Sequence, residues 1–242
     1  MKQYILPFLS ATIVAVGIAG AGYFVNCGLR AAYSDNRSVS VKGLSERDVR
    51  ADLAVWRISF ETESENLPQA RSENIDREKK IREFLLAQKI NPESINVESI
   101  TASKSREENG EDERGATLYK QVYSVEEILV VRSTAIDDVS QATQKTADLI
   151  DQGIVLSRSD VKYIFTKLNE IKPDMIAEAT KNARAAADQF ARDSGSEVGG
   201  ITSATQGWFN ILPRDGSSDY GEENFIDKRV RVVADVNFRL KD

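Results

Sequence analysis

The chain has 242 residues, enough for one large domain or two small ones, and its net charge of −6 argues against a general nucleic-acid binder, which needs a basic face. It contains no histidine, which removes the commonest general base and the usual zinc ligand. The single cysteine, Cys27, forms neither an internal disulfide nor a cysteine-rich metal site. No phosphate-binding loop or nucleophile motif stands in a suitable context. The sequence therefore predicts no cofactor, no metal and no enzyme.

The N-terminal segment carries no charge between Lys2 and Arg30. Within it, residues 4–25 are long enough to cross a bilayer as a helix of about 20 residues. A secretory signal peptide is the main alternative, but its apolar region is usually about 7–15 residues long and ends at a small-residue cleavage site. We therefore predict an uncleaved transmembrane helix within residues 1–30, followed by a tether over residues 31–36. Cleavage would instead leave a soluble exported domain.

Small residues recur within this segment in steps of four, a pattern that permits close packing of helices in lipid. They are Ala11, Ala15, Ala19, Gly17 and Ala21. The positive charges of Lys2 on one side and of Arg30 and Arg37 on the other are nearly balanced. Because so few residues precede the segment, signal-anchor insertion is expected to place the C-terminal region outside the cytoplasm.

After the tether, hydrophobic periodicity predicts two strands and a long helix. Residues 37–42 alternate valine with polar residues, as a strand does, until Gly43 interrupts them. A longer strand is predicted over residues 48–62, with Trp56, Ile58 and Phe60 on one face. The helix that follows, over residues 66–90, has Asn66 in position to cap its first turn with a side-chain hydrogen bond.

A hairpin is predicted next, with strands over residues 95–103 and 118–132. The segment between them is polar and holds five acids between Glu107 and Glu113. Clustered acids can bind calcium, but this segment lacks the ligand pattern of a calcium loop. We interpret it as a solvated hairpin tip.

The second half begins with a short helix over residues 136–150 and a strand near residues 161–165. An alanine-rich helix follows, with Pro173 in its first turn and Gly195 at its end. Its predicted apolar stripe comprises Ile176, Ala179, Ala183, Ala187 and Phe190. Residues 201–206 predict a short strand, residues 207–227 a long loop, and residues 228–240 a regularly alternating strand with one solvated face.

Two portions of the chain share one order of elements. Residues 48–132 and residues 160–240 each predict a strand, a long helix, a strand, a polar loop and a long strand. This order is consistent with a duplicated β-α-β-β unit, with halves over residues 37–135 and 154–242. We predict an α+β domain over residues 37–242, made mainly of antiparallel sheet, and leave open whether it holds one sheet or two.

Three short stretches resemble one protein family. Residues 39–43 (VSVKG) resemble its V-x-V-x-G opening, and the strand that ends at residues 59–63 resembles its first long strand. Residues 179–187 (ATKNARAAA) resemble its A-x-x-x-A-R-x-x-A helix, and residues 230–240 resemble its closing strand. Together and in order, they resemble the SIMPL-domain family, which includes the YggE-like bacterial envelope proteins. The resemblance covers residues 38–241.

The resemblance implies an exported protein of the bacterial envelope. Members are generally exported, some assemble into ring-like oligomers, and roles in stress tolerance have been proposed. With the predicted anchor, this implies a single-pass protein of the inner membrane whose C-terminal domain lies in the periplasm. The function we predict is non-enzymatic and works through homo-oligomeric assembly or binding of a protein partner. The alternative is a small-ligand-binding or hydrolytic enzyme, for which two facing carboxylates with raised pKa values in a pocket would be the sign.

An apolar cluster stands out within the polar loop over residues 207–227. Its members are Trp208, Phe209, Ile211 and Leu212. One interpretation is that they fold back and cap the domain's own core. The other is that they contact a neighbouring subunit, because large aromatic side chains in exposed segments are typical of interfaces.

Overall fold

The computed structural model describes residues 16–26, 28, 37–111, 114–115, 117–216 and 221–241. Residues 16–26 are helical (α1) and include Gly17, Ala19 and Ala21, whereas Ala11 and Ala15 lie outside the described residues. Within the described ranges, no helix combines the length and the apolar character that a membrane crossing requires.

Eight strands and four further helices follow along the described part of the chain. The strands are β1 (Ser38–Arg50), β2 (Leu53–Ser64), β3 (Ile95–Glu111), β4 (Thr117–Ser133), β5 (Leu156–Ile164), β6 (Glu197–Gln206), β7 (Asn210–Pro213) and β8 (Asp227–Lys241). The helices are α2 (Leu67–Ala87), α3 (Ile136–Gln144), α4 (Ala147–Asp151) and α5 (Leu168–Asp193). Short 3-10 turns cover Pro92–Ser94 and Glu222–Asn224. The predicted α+β class is confirmed.

The strands form two sheets, which answers the question that the sequence left open. The first sheet has the order β3-β4-β2-β5, and all of its neighbouring strands are antiparallel. The second has the order β1-β8-β6, with β7 also paired to β8. The contacts within the chain divide it into two compact units. One unit comprises Met1–Glu46, Pro173–Phe209 and Arg231–Asp242. The other comprises Arg47–Lys172 and Asn210–Val230. The division into halves over residues 37–135 and 154–242 concerns element order and stays a prediction.

Only the first of the two predicted β-α-β-β portions keeps all of its strands in one sheet. The first portion supplies β2, β3 and β4 to the first sheet, as expected. In the second portion, however, β5 pairs with β2, while β6 and β8 belong to the second sheet. The reason lies in β2, which is buried over most of Leu53–Phe60 and therefore requires a neighbour along both of its edges.

The core of the first sheet lies on the face that α2 covers. Trp56, Ile58 and Phe60 of β2 are fully buried there, as their predicted shared face requires. Helix α2 adds Ile81 and Leu85, which also have no exposed surface. Asn66 does occupy the N-cap position of α2, but its side chain makes no capping hydrogen bond, so that part of the prediction is wrong.

The hairpin formed by β3 and β4 is longer than the sequence predicted. Strand β3 continues through the polar segment to Glu111, where it pairs with Thr117. Contacts between side chains on the two strands, rather than apolar burial, stabilise this part of the hairpin. Lys104 Nζ lies 5.8 Å from the centre of the Tyr123 ring. Lys120 Nζ lies 3.5 Å from a carboxylate oxygen of Glu107.

Helix α5 begins at Leu168, so Pro173 lies inside it rather than in its first turn. The position is tolerated because it lies near the helix start, where the missing N–H deprives only the carbonyl of Asn169. Ala179, Ala183 and Ala187 are buried as predicted, but Met175 and Ala191 complete the row. Each step of four residues turns about 40° beyond a full circle, so the row winds around the helix and leaves Phe190 exposed.

Gly43 does not interrupt β1, which runs unbroken through it. A Cβ atom at this position would lie 1.9 Å from the carbonyl oxygen of Ala179 and 2.6 Å from the amide nitrogen of Ala183. The backbone of β1 therefore contacts the backbone of α5 directly. Alanines on the helix and glycine on the strand are what this close approach requires.

Candidate functional site

The four residues predicted as an interface cluster lie in different surroundings. Trp208 is 88% exposed and Phe209 is half-buried, both in the unit that contains α5. Ile211 is half-buried and Leu212 is 40% exposed, both in β7 within the other unit. Trp208 therefore does not cap the core, and that interpretation is wrong for this residue. A subunit contact at Trp208 stays a prediction.

The longest exposed surface among the described residues belongs to β3. This strand is an edge of the first sheet, with β4 as its neighbour in that sheet. Of all its residues from Ile95 to Glu111, only Ile95 is buried. The exposed residues include Val97 and Ile100, which are 41% and 46% exposed. An edge of this kind presents unpaired backbone N–H and C=O groups, which are a template for a further strand.

The middle of β3 is regular enough to accept such a strand. Its pairing with β4 shifts register near Glu98 and again beyond Glu108, but runs without a shift over residues 99–108. Cross-strand pairing sets Ile100, Ala102 and Lys104 on the α2 face of the sheet. Small hydroxylated residues occupy the other face, at positions 99, 101, 103 and 105. These short side chains leave the edge open to another backbone.

The bulge near Glu98 carries an ion pair that reaches across the sheet. Arg57 Nε of β2 donates to Glu98 Oε2 at 2.9 Å, and a second guanidinium nitrogen lies 3.4 Å from Oε1. The hydrogen bond from Arg57, assisted by its charge, lowers the pKa of Glu98. Both side chains are substantially exposed, so solvent screens the pair and it contributes little to stability.

A carboxyl group is buried between β4 and α2. The side chain of Glu127 has no exposed surface, and Arg71 of α2 donates to its Oε2 at 3.2 Å. Arg71 also donates to the side-chain oxygen of Asn74. Glu127 Oε1 and the side-chain amide nitrogen of Asn74 are buried and have no hydrogen-bond partner among the residues that the structure describes. Burial, followed by the negative charge of Glu78, raises the pKa of Glu127, and the Arg71 guanidinium opposes this shift.

The sequence contained a signal for Glu127 that the strand prediction did not use. Val125, Leu129 and Val131 are alternate residues of β4 and are buried. Glu127 occupies the same row, where a charged residue is out of pattern. A carboxyl group without exposed surface does not meet a substrate in solution, so this site does not fit the hydrolase alternative.

No group of three or more His, Cys, Asp or Glu side chains suited to holding a metal ion occurs among the residues that the structure describes. This concerns the described ranges only, and the expectation of no metal and no cofactor stays a prediction.

The fold defines an α+β protein with two antiparallel sheets, long helices and a broad exposed strand edge. The chain belongs to the SIMPL family, described as a protein of unknown function (DUF541), whose model matches residues 39–238. The predicted family is thereby confirmed. A comparison with curated proteins finds no match.

Proposed function

We propose that this chain is a non-enzymatic protein of the bacterial envelope that works by homo-oligomeric assembly, with the open edge of β3 as one subunit contact. The observation that carries this proposal is the exposure of β3 along its whole length beyond Ile95. Edge strands of soluble proteins are usually short, covered or interrupted, because an open edge promotes pairing with another chain. A long edge without such cover is expected to have a partner.

A second copy of β3 complements the first when the two strands pair antiparallel about a two-fold axis at Ala102. This register sets Ile100 opposite Lys104, whose aliphatic stem covers the isoleucine. On the other face, Ser99 lies opposite Ser105 and Thr101 opposite Ser103, pairs that hydrogen-bond well across strands. No like charges face each other over these residues. The contact is isologous, as in most homo-oligomers.

The remaining parts of the proposal concern location and the second contact. The uncharged N-terminal segment supports a single-pass anchor in the inner membrane, with the domain in the periplasm. The exposure of Trp208 supports a further subunit contact, since large aromatic side chains are typical anchors of protein interfaces. A part in stress tolerance rests on the family resemblance alone.

The test is a charge substitution at the proposed two-fold axis, read out as the mass of the full-length chain in detergent. Ala102→Glu places two carboxylates opposite each other, and Ala102→Lys places two ammonium groups there. We expect each variant alone to lose the β3 contact, because like charges directly opposite destabilise a strand pair. Mixing the two variants should restore assembly, since the opposed charges then attract.

The matched control is Ala177→Glu on an exposed position of α5, which should leave the mass unchanged. An Ala102→Glu protein with the parental mass, or a parental chain that is monomeric, would refute assembly through β3. Trp208→Ser separates the two contacts. If it alone dissociates the oligomer, the contact lies at Trp208 and not at β3.

A further inference from the structure

One open cleft in the unit that contains the first sheet is suited to a small ligand. It has a volume of about 720 Å³, within the range of about 300–1,000 Å³ that small-molecule sites occupy. It is lined by the second half of α3, the strand β5, residues 214–215 after β7, and residues 224–227 at the start of β8. None of the assembly surfaces discussed above contributes to it.

The floor of the cleft is apolar and partly aromatic. Val161 and Tyr163 of β5 line it together with Phe225 and Ile226. Tyr163 is only 5% exposed, so its ring is fixed in the core. Its hydroxyl makes no hydrogen bond to any residue that the structure describes, and it is not among the fully enclosed polar atoms that lack a partner. This hydroxyl is therefore available to a ligand in the cleft.

Two side-chain amide groups from different elements line the rim. Gln144 stands at the end of α3, and Asn224 stands on the 3-10 turn before β8. That turn is held in place because Lys228, whose side chain is fully buried, donates to Glu222 Oε2 at 2.7 Å. The polar groups of the rim are thus presented by ordered backbone rather than by a free loop.

The charges at the rim disfavour an anionic ligand. Arg214 is already engaged, with Asp48 at 3.2 Å and Asp227 at 4.0 Å. Asp227 itself lines the cleft, so the one cation among these lining residues is already held by carboxylates. A purely apolar ligand is disfavoured too, because it would bury the rim amides and the Tyr163 hydroxyl without hydrogen-bond partners.

We propose that this cleft binds a neutral polyhydroxylated ring, that is, one saccharide unit. Each sugar hydroxyl both donates and accepts, which matches the amides of Gln144 and Asn224 and the hydroxyl of Tyr163. The C–H face of such a ring packs on the apolar floor beside Phe225. This proposal does not depend on assembly and holds whether or not β3 forms a subunit contact.

The test uses the full-length chain and three probes: the methyl β-glycosides of glucose, galactose and N-acetylglucosamine. Saturation-transfer NMR should detect binding of at least one, and calorimetry should give a dissociation constant of about 1 mM or lower. Tyr163→Phe removes only the hydroxyl, and we expect it to raise that constant about three- to tenfold. Gln144→Ala should weaken binding similarly, whereas Gln141→Ala, on the same helix but outside the cleft, should not.

Four results would overturn the proposal. They are an absence of binding for all three glycosides at about 10 mM, preferential binding of indole, preferential binding of inorganic phosphate, and equal effects of the two glutamine substitutions. Melting temperatures of the variants identify any loss of binding that comes from unfolding. Because Tyr163→Phe keeps the buried ring, it is expected to fold like the parent and keeps the test decisive.

Discussion

Gly43→Ala offers the sharpest test of how β1 and α5 fit together. The new Cβ atom would lie 1.9 Å from the carbonyl oxygen of Ala179, whereas ordinary contacts begin near 3.4 Å. The nearest atoms are backbone atoms, so no rotamer change relieves the clash, and strand and helix must separate. Overpacking a tight interface costs about 1–3 kcal/mol, and a clash this severe belongs at the upper end. A loss of about 3 kcal/mol lowers the melting temperature by about 6–12 °C in a chain of this size.

The assay is urea and thermal unfolding of the full-length chain, with Gly200→Ala as the matched control. A Cβ atom at Gly200 meets nothing within 4 Å, so the same substitution should be neutral or slightly stabilising there. Ala183→Gly should not rescue Gly43→Ala, because the closest contact is with Ala179. Equal stabilities of the two glycine variants would refute the direct backbone contact.

Two further predictions concern buried side chains. Ala183→Leu should lower the free energy of unfolding by about 1–3 kcal/mol because Ala183 is fully buried. Ala185→Leu should lower it much less because Ala185 is exposed. Equal unfolding midpoints for the two variants would contradict the burial of the alanine row. For Glu127, the pKa is raised in the folded state, so the protonated form stabilises the fold below the unfolded pKa of about 4.5, and this contribution is lost as pH rises through the folded pKa. Relative to Glu127→Gln, which does not titrate, the parental free energy of unfolding should fall as pH rises above about 4.5. Parallel curves for the parent and Glu127→Gln would show that the fold does not raise the pKa of Glu127.

Local sequence patterns predicted most of the helices and strands, but they did not predict which distant strands pair. The alternation around Trp56 predicted both the strand β2 and its buried face, because one face of a strand repeats every second residue. That alternation does not say which strands lie on either side of β2. The pairing of β5 with β2, rather than with β6 or β8, depends on burial along both edges of β2, which no local window contains.

The predictions based on Gly43 and Pro173 were wrong for related reasons. Gly43 has the local signature of a break, yet here it permits a close approach to a helix far away in the sequence. Pro173 has the signature of a helix start, yet α5 had already begun at Leu168. For the candidate sites, the sequence indicated Trp208, because it belongs to an apolar cluster in a polar loop. It did not indicate the β3 edge, because the polar sequence of β3 contains no such cluster.

The place of β8 in the second sheet bears on the timing of folding during synthesis. All four strands of the first sheet exist once the ribosome has passed Ile164. In the second sheet, β1, β6 and β7 each pair with β8, which is made after all of them. The first strand to leave the ribosome therefore waits for the last before it gains its partner. A nascent chain that stalls before Asp227 leaves three strands unpaired together, a state that chaperones and proteases can recognise.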